Sequence, residues 1–298
     1  MKTILFLLFF TTPSFAKPLV VATFSILGDM VHEIGQDKID VKTLVGPDQD
    51  SHVFEPRPQH AKELGRADLV VVNGLGFEGW LGRLIEASGF QGKILVATTG
   101  IDPLTCSCHN PLTCSCHGEG DPDPHAWHSL KNAQIYTDNI VNGLCALLPQ
   151  DAPFFKARGE VYKQSLRALE NETRQHLAHL PLEKRKVITG HKAFGYLGRD
   201  FHIVFYAPLG ISTDSEPSAK GVAALIHQIR TEGIQAIFIE NISNPRLMEQ
   251  IASETHTHIG GVLYSDALSA PGTTADTYLK MMRFNLSSLL KAMEKNKG

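Results

Sequence analysis

Residues 151–181, DAPFFKARGEVYKQSLRALENETRQHLAHLP, hold Phe155, Tyr162, Leu166, Leu169 and Leu177 at spacings that return them to one side of a helix. At about 1.5 Å per residue, a helix of roughly thirty residues is about 45 Å long, more than the width of a small domain. A rod of that length needs two bodies to cover it, so the chain is predicted to fold as two lobes joined by the helix. The same rod restricts how far the lobes can swing, because a continuous helix does not absorb the dihedral changes that a loop hinge takes up.

On either side of the rod, short apolar runs alternate with segments of helical spacing. PLVVATF, VKTLVG, DLVVVNG and KILVAT read as strands, with ILGDMVHEIGQ, PQHAKELGRA and FEGWLGRLIEASG as the helices between them. SLKNAQIYTDNIVNGLCALLP is a further helix leading into the rod. Beyond it, RKVITG, HIVFYAPL, QAIFIEN and IGGVLY are strands, interleaved with AFGYLGRDF, AKGVAALIHQIRTEG, PRLMEQIASET and the terminal TADTYLKMMRFNLSSLLKAMEKN as helices. The alternation predicts an α/β fold of two lobes, each a mostly parallel sheet flanked by helices. The predicted limits are 17–148 for the N-terminal lobe, 149–181 for the linker helix and 182–298 for the C-terminal lobe.

The first sixteen residues, MKTILFLLFFTTPSFA, carry Lys2, an apolar run from Ile4 to Phe10 and Ser14-Phe15-Ala16 as a small-x-small cleavage site. They read as a secretion signal. No later apolar run reaches the roughly 20 residues that span a bilayer, and no Cys follows the signal to accept a lipid. The mature chain is therefore expected to be a soluble protein of the periplasm or the cell exterior, and a monomer. With 298 residues, 43% of them hydrophobic, the chain is long enough for two cores. A net charge of −3 and no basic block argue against nucleic acid or an anionic membrane as partner.

Four segments carry chemistry-bearing residues, three of them where predicted strands end and one at a predicted helix start. DSHVFEPRP sets His52 on a loop stiffened by Pro56 and Pro58, at the sheet edge where ligands of open α/β folds bind. A lone loop histidine is ordinarily a solvated side chain, so His52 counts only in company. DPDPHAWHSL places His125 and His128 three apart at a predicted helix start, which puts both rings on one face. Either His125 binds a metal with His128 beside it or the two chelate together; His125 is favoured, against a capping or packing role next to Trp127. VITGHKAFGYL puts His191 directly after a strand, and VLYSDALS repeats that geometry with Asp266. The ordinary role of such an aspartate is an N-cap, and Glu240 at the end of AIFIE competes with it as a carboxylate. His32 and His60 fall on predicted helices and carry no ligand reading. Three imidazoles and one carboxylate suit Zn²⁺, and 266 − 52 = 214 positions separate the first from the last, so only a folded two-lobed body brings them together.

Two further motifs carry less. VNGLGFEGWLG matches G-x-G-x-x-G at Gly74, Gly76 and Gly79, but the acidic residue expected about 20 positions on is missing, so these glycines read as tight-turn and close-packing residues. TCSCHNPLTCSCHGEG, within a Cys/His-rich loop over 105–121, repeats Thr-Cys-Ser-Cys-His with a period of eight. It sets Cys106, Cys108, His109, Cys114, Cys116 and His117 either to form disulfides or to bind a soft ion such as Zn²⁺ or Cu⁺, directly before His125. Cys145, on an apolar helical stretch, reads as a buried thiol.

Together the four segments resemble the zinc and manganese solute-binding proteins of ABC importers, over essentially the whole mature sequence. DSHVFEPRP, DPHAWHS, HKAFGYL and LYSDALS are similar to that family's first to fourth ligand motifs. The resemblance implies His52, His125, His191 and Asp266 as ligands, two α/β lobes joined by a long helix, and delivery of the ion to an ABC permease. A histidine rather than a glutamate in the third motif implies the zinc branch. DPHAWHSLKNAQIYTDNIV looks closest to a subgroup that receives zinc from a periplasmic metallochaperone. Family members often carry a His-rich loop before the second ligand, where this chain has Cys and His together; Lys192 and His128 also depart from the pattern. Four protein ligands leave no position for an activated water, so no enzymatic activity is expected. The rival reading is a secreted zinc hydrolase using His52, His125 and His191 with Asp266 or Glu240 as general base; no H-E-x-x-H motif supports it.

Overall fold

The computed structural model describes residues 16–105 and 120–297. Residues 1–15, 106–119 and 298, with Cys106, Cys108, His109, Cys114, Cys116 and His117, lie outside the described residues.

The N-terminal lobe is wound from β1 (Leu19–Phe24), α1 (Ser25–Gly35), β2 (Asp40–Val45), α2 (Pro58–Leu64), β3 (Leu69–Val72), α3 (Leu81–Ser88) and β4 (Lys93–Val96). Its four strands are all parallel, in the order β2-β1-β3-β4. The sequence explains who sits in the middle. LVVATF and LVVV are apolar almost throughout and become central strands covered on both faces, whereas DVKTLV and KILV carry polar positions and take the edges. Helix α3 begins only at Leu81, because Gly74 and Gly76 before it hold positive φ in a turn. A Cβ at Gly74 would meet Val96 Cγ1 at 2.6 Å, so the glycine-rich stretch serves close packing and turning.

Helix α4 (Leu130–Leu147) leads through a short turn into α5 (Ala152–Leu177), which is 26 residues and about 39 Å long. Phe155, Tyr162, Leu166, Leu169 and Leu177 are buried along α5, facing α4, α1 and the final helix. Cys145 on α4 is half-buried rather than buried, its Sγ lying 3.7 Å from the Ala152 carbonyl where the turn into α5 leaves one side open.

The C-terminal lobe repeats the plan with β5 (Lys186–Ile188), α6 (Gly195–Phe201), β6 (Val204–Tyr206), α7 (Ala219–Glu232), β7 (Ile237–Glu240), α8 (Arg246–Thr255), β8 (Ile259–Leu263) and α9 (Tyr278–Met293). Its strands run parallel in the order β6-β5-β7-β8, the same winding as the first sheet. In such a sheet the chain winds one way from the first strand and then the other, leaving a crevice between β1 and β3, and between β5 and β7, at the carboxyl ends. Helices α7 and α8 cover one face with Leu225, Ile226, Ile229, Met248 and Ile251. On the other side α9 packs against α5, α1, β5 and β8. Tyr278, Met281, Met282, Leu286 and Leu289 of α9 belong to one apolar core with Val21, Met30 and Leu166, so the lobes share buried surface across their seam.

Candidate metal centre

Each sheet delivers two side chains to the crevice between the lobes. His52 lies on the loop after β2, His125 on the segment after β4, His191 three residues past β5 and Asp266 three residues past β8. One ligand atom from each of the four lies within 4.8 Å of the others. His52 Nε2 is 3.3 Å from His125 Nε2, which is 3.4 Å from His191 Nε2. Asp266 lies 3.2 Å from His52 Nε2, 3.3 Å from His191 Nε2 and 3.6 Å from His125 Nε2. Side-chain exposure is 6% for His52 and at most 1% for the other three.

The backs of the rings settle what the fronts present. His125 Nδ1 is 2.7 Å from Asp123 Oδ1, and His191 Nδ1 is 2.5 Å from Glu240 Oε2. A carboxylate only accepts, so each Nδ1 carries the hydrogen and, in a neutral ring, Nε2 presents a bare lone pair. Two such lone pairs 3.4 Å apart, facing a buried carboxylate, repel one another. Neither oxygen of Asp266 has a well-formed hydrogen bond. A cation at the centre removes both difficulties. A tetrahedron with metal–ligand distances of about 2.0–2.1 Å has edges of about 3.3–3.4 Å, close to the 3.2–3.6 Å approaches of His52 to His125, His125 to His191 and the two Asp266 oxygens to the three rings.

The backbone is tied as firmly as the rings. The His52 N–H donates to Asp50 Oδ1 at 2.9 Å and the His125 N–H to Asp123 Oδ1 at 3.0 Å, the same Asp-x-His turn twice. Glu240 accepts from the Gly190 and His191 N–H groups at 2.7 and 2.9 Å and from Ser265 Oγ at 2.9 Å. Trp127 Nε1 donates to the Ser265 carbonyl, next to Asp266. Asp123 is itself boxed in: Tyr196 donates to its carbonyl, and a Cβ at Gly195 would meet its Oδ2 at 2.9 Å. Burial disfavours charge on His191, but the Glu240 and Asp266 carboxylates outweigh it and hold the imidazole well above its ordinary range. Burial likewise opposes ionisation of Asp266, and the charges of His191 and His125 override it, holding the carboxyl well below its usual value. Without a cation, a proton on His191 supplies part of the missing positive charge.

One sequence expectation needs correction, and two alternatives weighed beside it fall away. His125 and His128 do not share a helix face: His125 precedes a three-residue 3₁₀ turn, Ala126–His128, and α4 starts at Leu130, so the spacing argument for an α-helix does not apply. His128 instead packs on Phe194 with ring centroids 4.5 Å apart, and neither ring nitrogen makes a well-formed hydrogen bond. Burial pushes its pKa down to about 3. Glu240 stands behind His191 rather than in the cluster, and Asp266 caps no helix, since Thr277 caps α9. Asp123 was missed as a partner of His125; its signal was the Asp-x-His spacing shared with Asp50 and His52.

Paired sheets of one winding, with three imidazoles and a carboxylate between them, define the class: a metal-binding substrate-binding protein of an ABC importer. The model of the zinc-uptake complex component A periplasmic family (ZnuA) matches residues 20–292, and the chain belongs to that family. The manganese ABC transporter substrate-binding lipoprotein PsaA of Streptococcus anginosus is 29% identical over 93% of this chain and 89% of its own length. Among solved structures, the periplasmic zinc binding protein TroA of Treponema pallidum superposes with a TM-score of 0.86 at 30% identity, covering 93% of this chain and 99% of its own. The manganese-bound periplasmic metal binding protein of Candidatus Liberibacter asiaticus gives 0.81 at 32% identity, covering 93% and 100%. The family's members are binding components of transporters and not enzymes, and they work with a membrane permease and its ATPase. Among the described residues no helix is long and apolar enough to cross a membrane.

Proposed function

We propose that the protein captures Zn²⁺ in the periplasm through His52, His125, His191 and Asp266 and delivers it to an ABC permease of the inner membrane. The observation that carries the reading is the set of contacts at 3.2–3.6 Å among three imidazole Nε2 atoms and one carboxylate. A small ion with four short bonds fits that spacing, and nitrogen-rich ligands favour zinc over manganese, which prefers more oxygen. Residues 17–148 and 182–298 form the two jaws, and 149–181 the connecting rod. Manganese is the second reading, and PsaA's name favours it. Titration of the metal-free protein with both ions in competition tests the choice. Zinc is expected to displace manganese at a stoichiometry of one; tighter manganese binding would refute the zinc reading.

A further inference from the structure

Behind the His52 loop the N-terminal lobe carries an open groove of about 650 Å³ between α2 and α3. Trp80, Leu84, Ala61 and Ala87 give it an apolar floor, and its charged lining residues, Arg57, Lys62 and Arg83, are all cationic. All three are exposed, and none forms an ion pair among the described residues. In a chain of net charge −3, a groove rimmed by one sign of positive charge stands apart from the rest of the surface. Val53, next to His52, is 52% exposed.

The groove connects to the metal centre through Trp80. Trp80 is buried under it, stacks edge-on against Phe54 at 4.9 Å, and donates from Nε1 to the Ser51 carbonyl at 3.0 Å. Ser51 precedes His52, the most exposed member of the cluster at 6%. The rest of the loop is held from the opposite lobe: Asp48 N–H donates to the Leu268 carbonyl, Asn241 to Asp48 and Thr213 to Asp50. The loop therefore hangs between a clasp in its own lobe and three in the other.

Resting on the carrier reading above, we propose that this groove docks an acidic, apolar-tipped segment of the membrane permease, and that docking shifts Trp80, frees the Ser51 carbonyl and loosens His52. Charge complementarity selects an acidic partner, and the apolar floor selects a large side chain at its tip. Release then needs no wide separation of the lobes, only the withdrawal of one ligand.

The test uses the full chain loaded with Zn²⁺ and its permease–ATPase complex in phosphatidylcholine proteoliposomes. The Lys62→Glu/Arg83→Glu variant is expected to raise the concentration for half-maximal ATPase stimulation by on the order of tenfold, with zinc affinity unchanged. Trp80→Phe, which keeps a ring but loses the Nε1 donor, is expected to release zinc several-fold faster without the transporter, and to gain less from it. Wild-type protein that fails to stimulate the ATPase overturns the carrier reading itself. Normal stimulation by wild type and by the charge-reversed variant alike overturns the docking proposal alone. The docking proposal also falls if the substitutions abolish only binding to phosphatidylglycerol vesicles or only self-association, since the groove then serves a lipid or a second copy.

Discussion

In the N-terminal lobe each metal-facing histidine has its backbone N–H held by an aspartate two residues before it, Asp50 for His52 and Asp123 for His125, and Asp123 also holds the His125 ring. In the C-terminal lobe His191 is fixed by Glu240, 49 residues away, and the same carboxylate reaches Ser265 beside Asp266. The sheets have one winding but different ways of holding a ligand. Local turns fix the first pair one at a time, and a single buried glutamate fixes the second pair together. A defect in the first lobe should therefore stay confined to one ligand, while a defect at Glu240 should spread to two.

Removing a ligand gives the largest effect. Four ligands share an apparent zinc binding energy of about 10–16 kcal/mol, so His125→Ala or His191→Ala is expected to weaken zinc binding by roughly two to three orders of magnitude, measured by competition with a chromophoric chelator. Glu240→Gln and Asp123→Asn compare the two lobes directly. Losing such a partner costs about 10–100-fold in metal affinity, with Glu240→Gln expected at the upper end and Asp123→Asn at the lower. Equal losses would erase the distinction between the lobes. The pH profile sharpens it. Because His191 is held above its ordinary value of 6.5, zinc affinity should keep rising with pH past 6.5, and Glu240→Gln should bring the plateau to lower pH.

The seam between the lobes supplies smaller effects. Asp29 on α1 accepts the Tyr278 N–H at the start of α9 at 2.8 Å, and burial, reinforced by Glu33 and Asp276, raises its pKa to about 7. The folded state therefore keeps this proton between pH 3.8 and about 7 while the unfolded state has lost it, so stability falls as pH rises through that window. Asp29→Asn keeps an acceptor for Tyr278. It should raise the melting temperature at pH 8, by an amount equivalent to on the order of 1–3 kcal/mol, with the gain fading toward pH 4. His128→Phe is expected to change least at neutral pH, within about 1 kcal/mol, because it removes an unpartnered buried polar group and keeps the ring against Phe194. Below pH 6.5 the wild type should lose stability that the variant retains, since the unfolded chain protonates His128 and the folded one resists down to about pH 3. Unchanged zinc stoichiometry in this variant would separate His128 from the cluster.

The parts of the molecule that were legible in the sequence are those fixed by local pattern. The continuous apolar runs LVVATF and LVVV marked strands, and the spacing of Phe155 through Leu177 marked the buried stripe of α5. His52, His125, His191 and Asp266 stood out through their local motifs, three of them directly after predicted strands, and the fold draws all four together. What stayed hidden depends on tertiary contact. A 3₁₀ turn in place of an α-helical start turned His128 toward Phe194, and no local signal fixes that choice. The role of Glu240 follows from the β5–β7 pairing, which periodicity does not reveal. Asp123 was within reach, since it repeats the Asp50 spacing.

The unequal exposure of the four groups has a kinetic corollary. Among the described residues His52 is the most open of the four, so an incoming competitor should reach the ion past it, and exchange should proceed through a mixed complex in which the competitor bonds before the protein lets go. The rate of stripping should then depend on the competitor's girth as well as its concentration, with a slim bidentate reagent outpacing a bulky hexadentate one of far greater affinity.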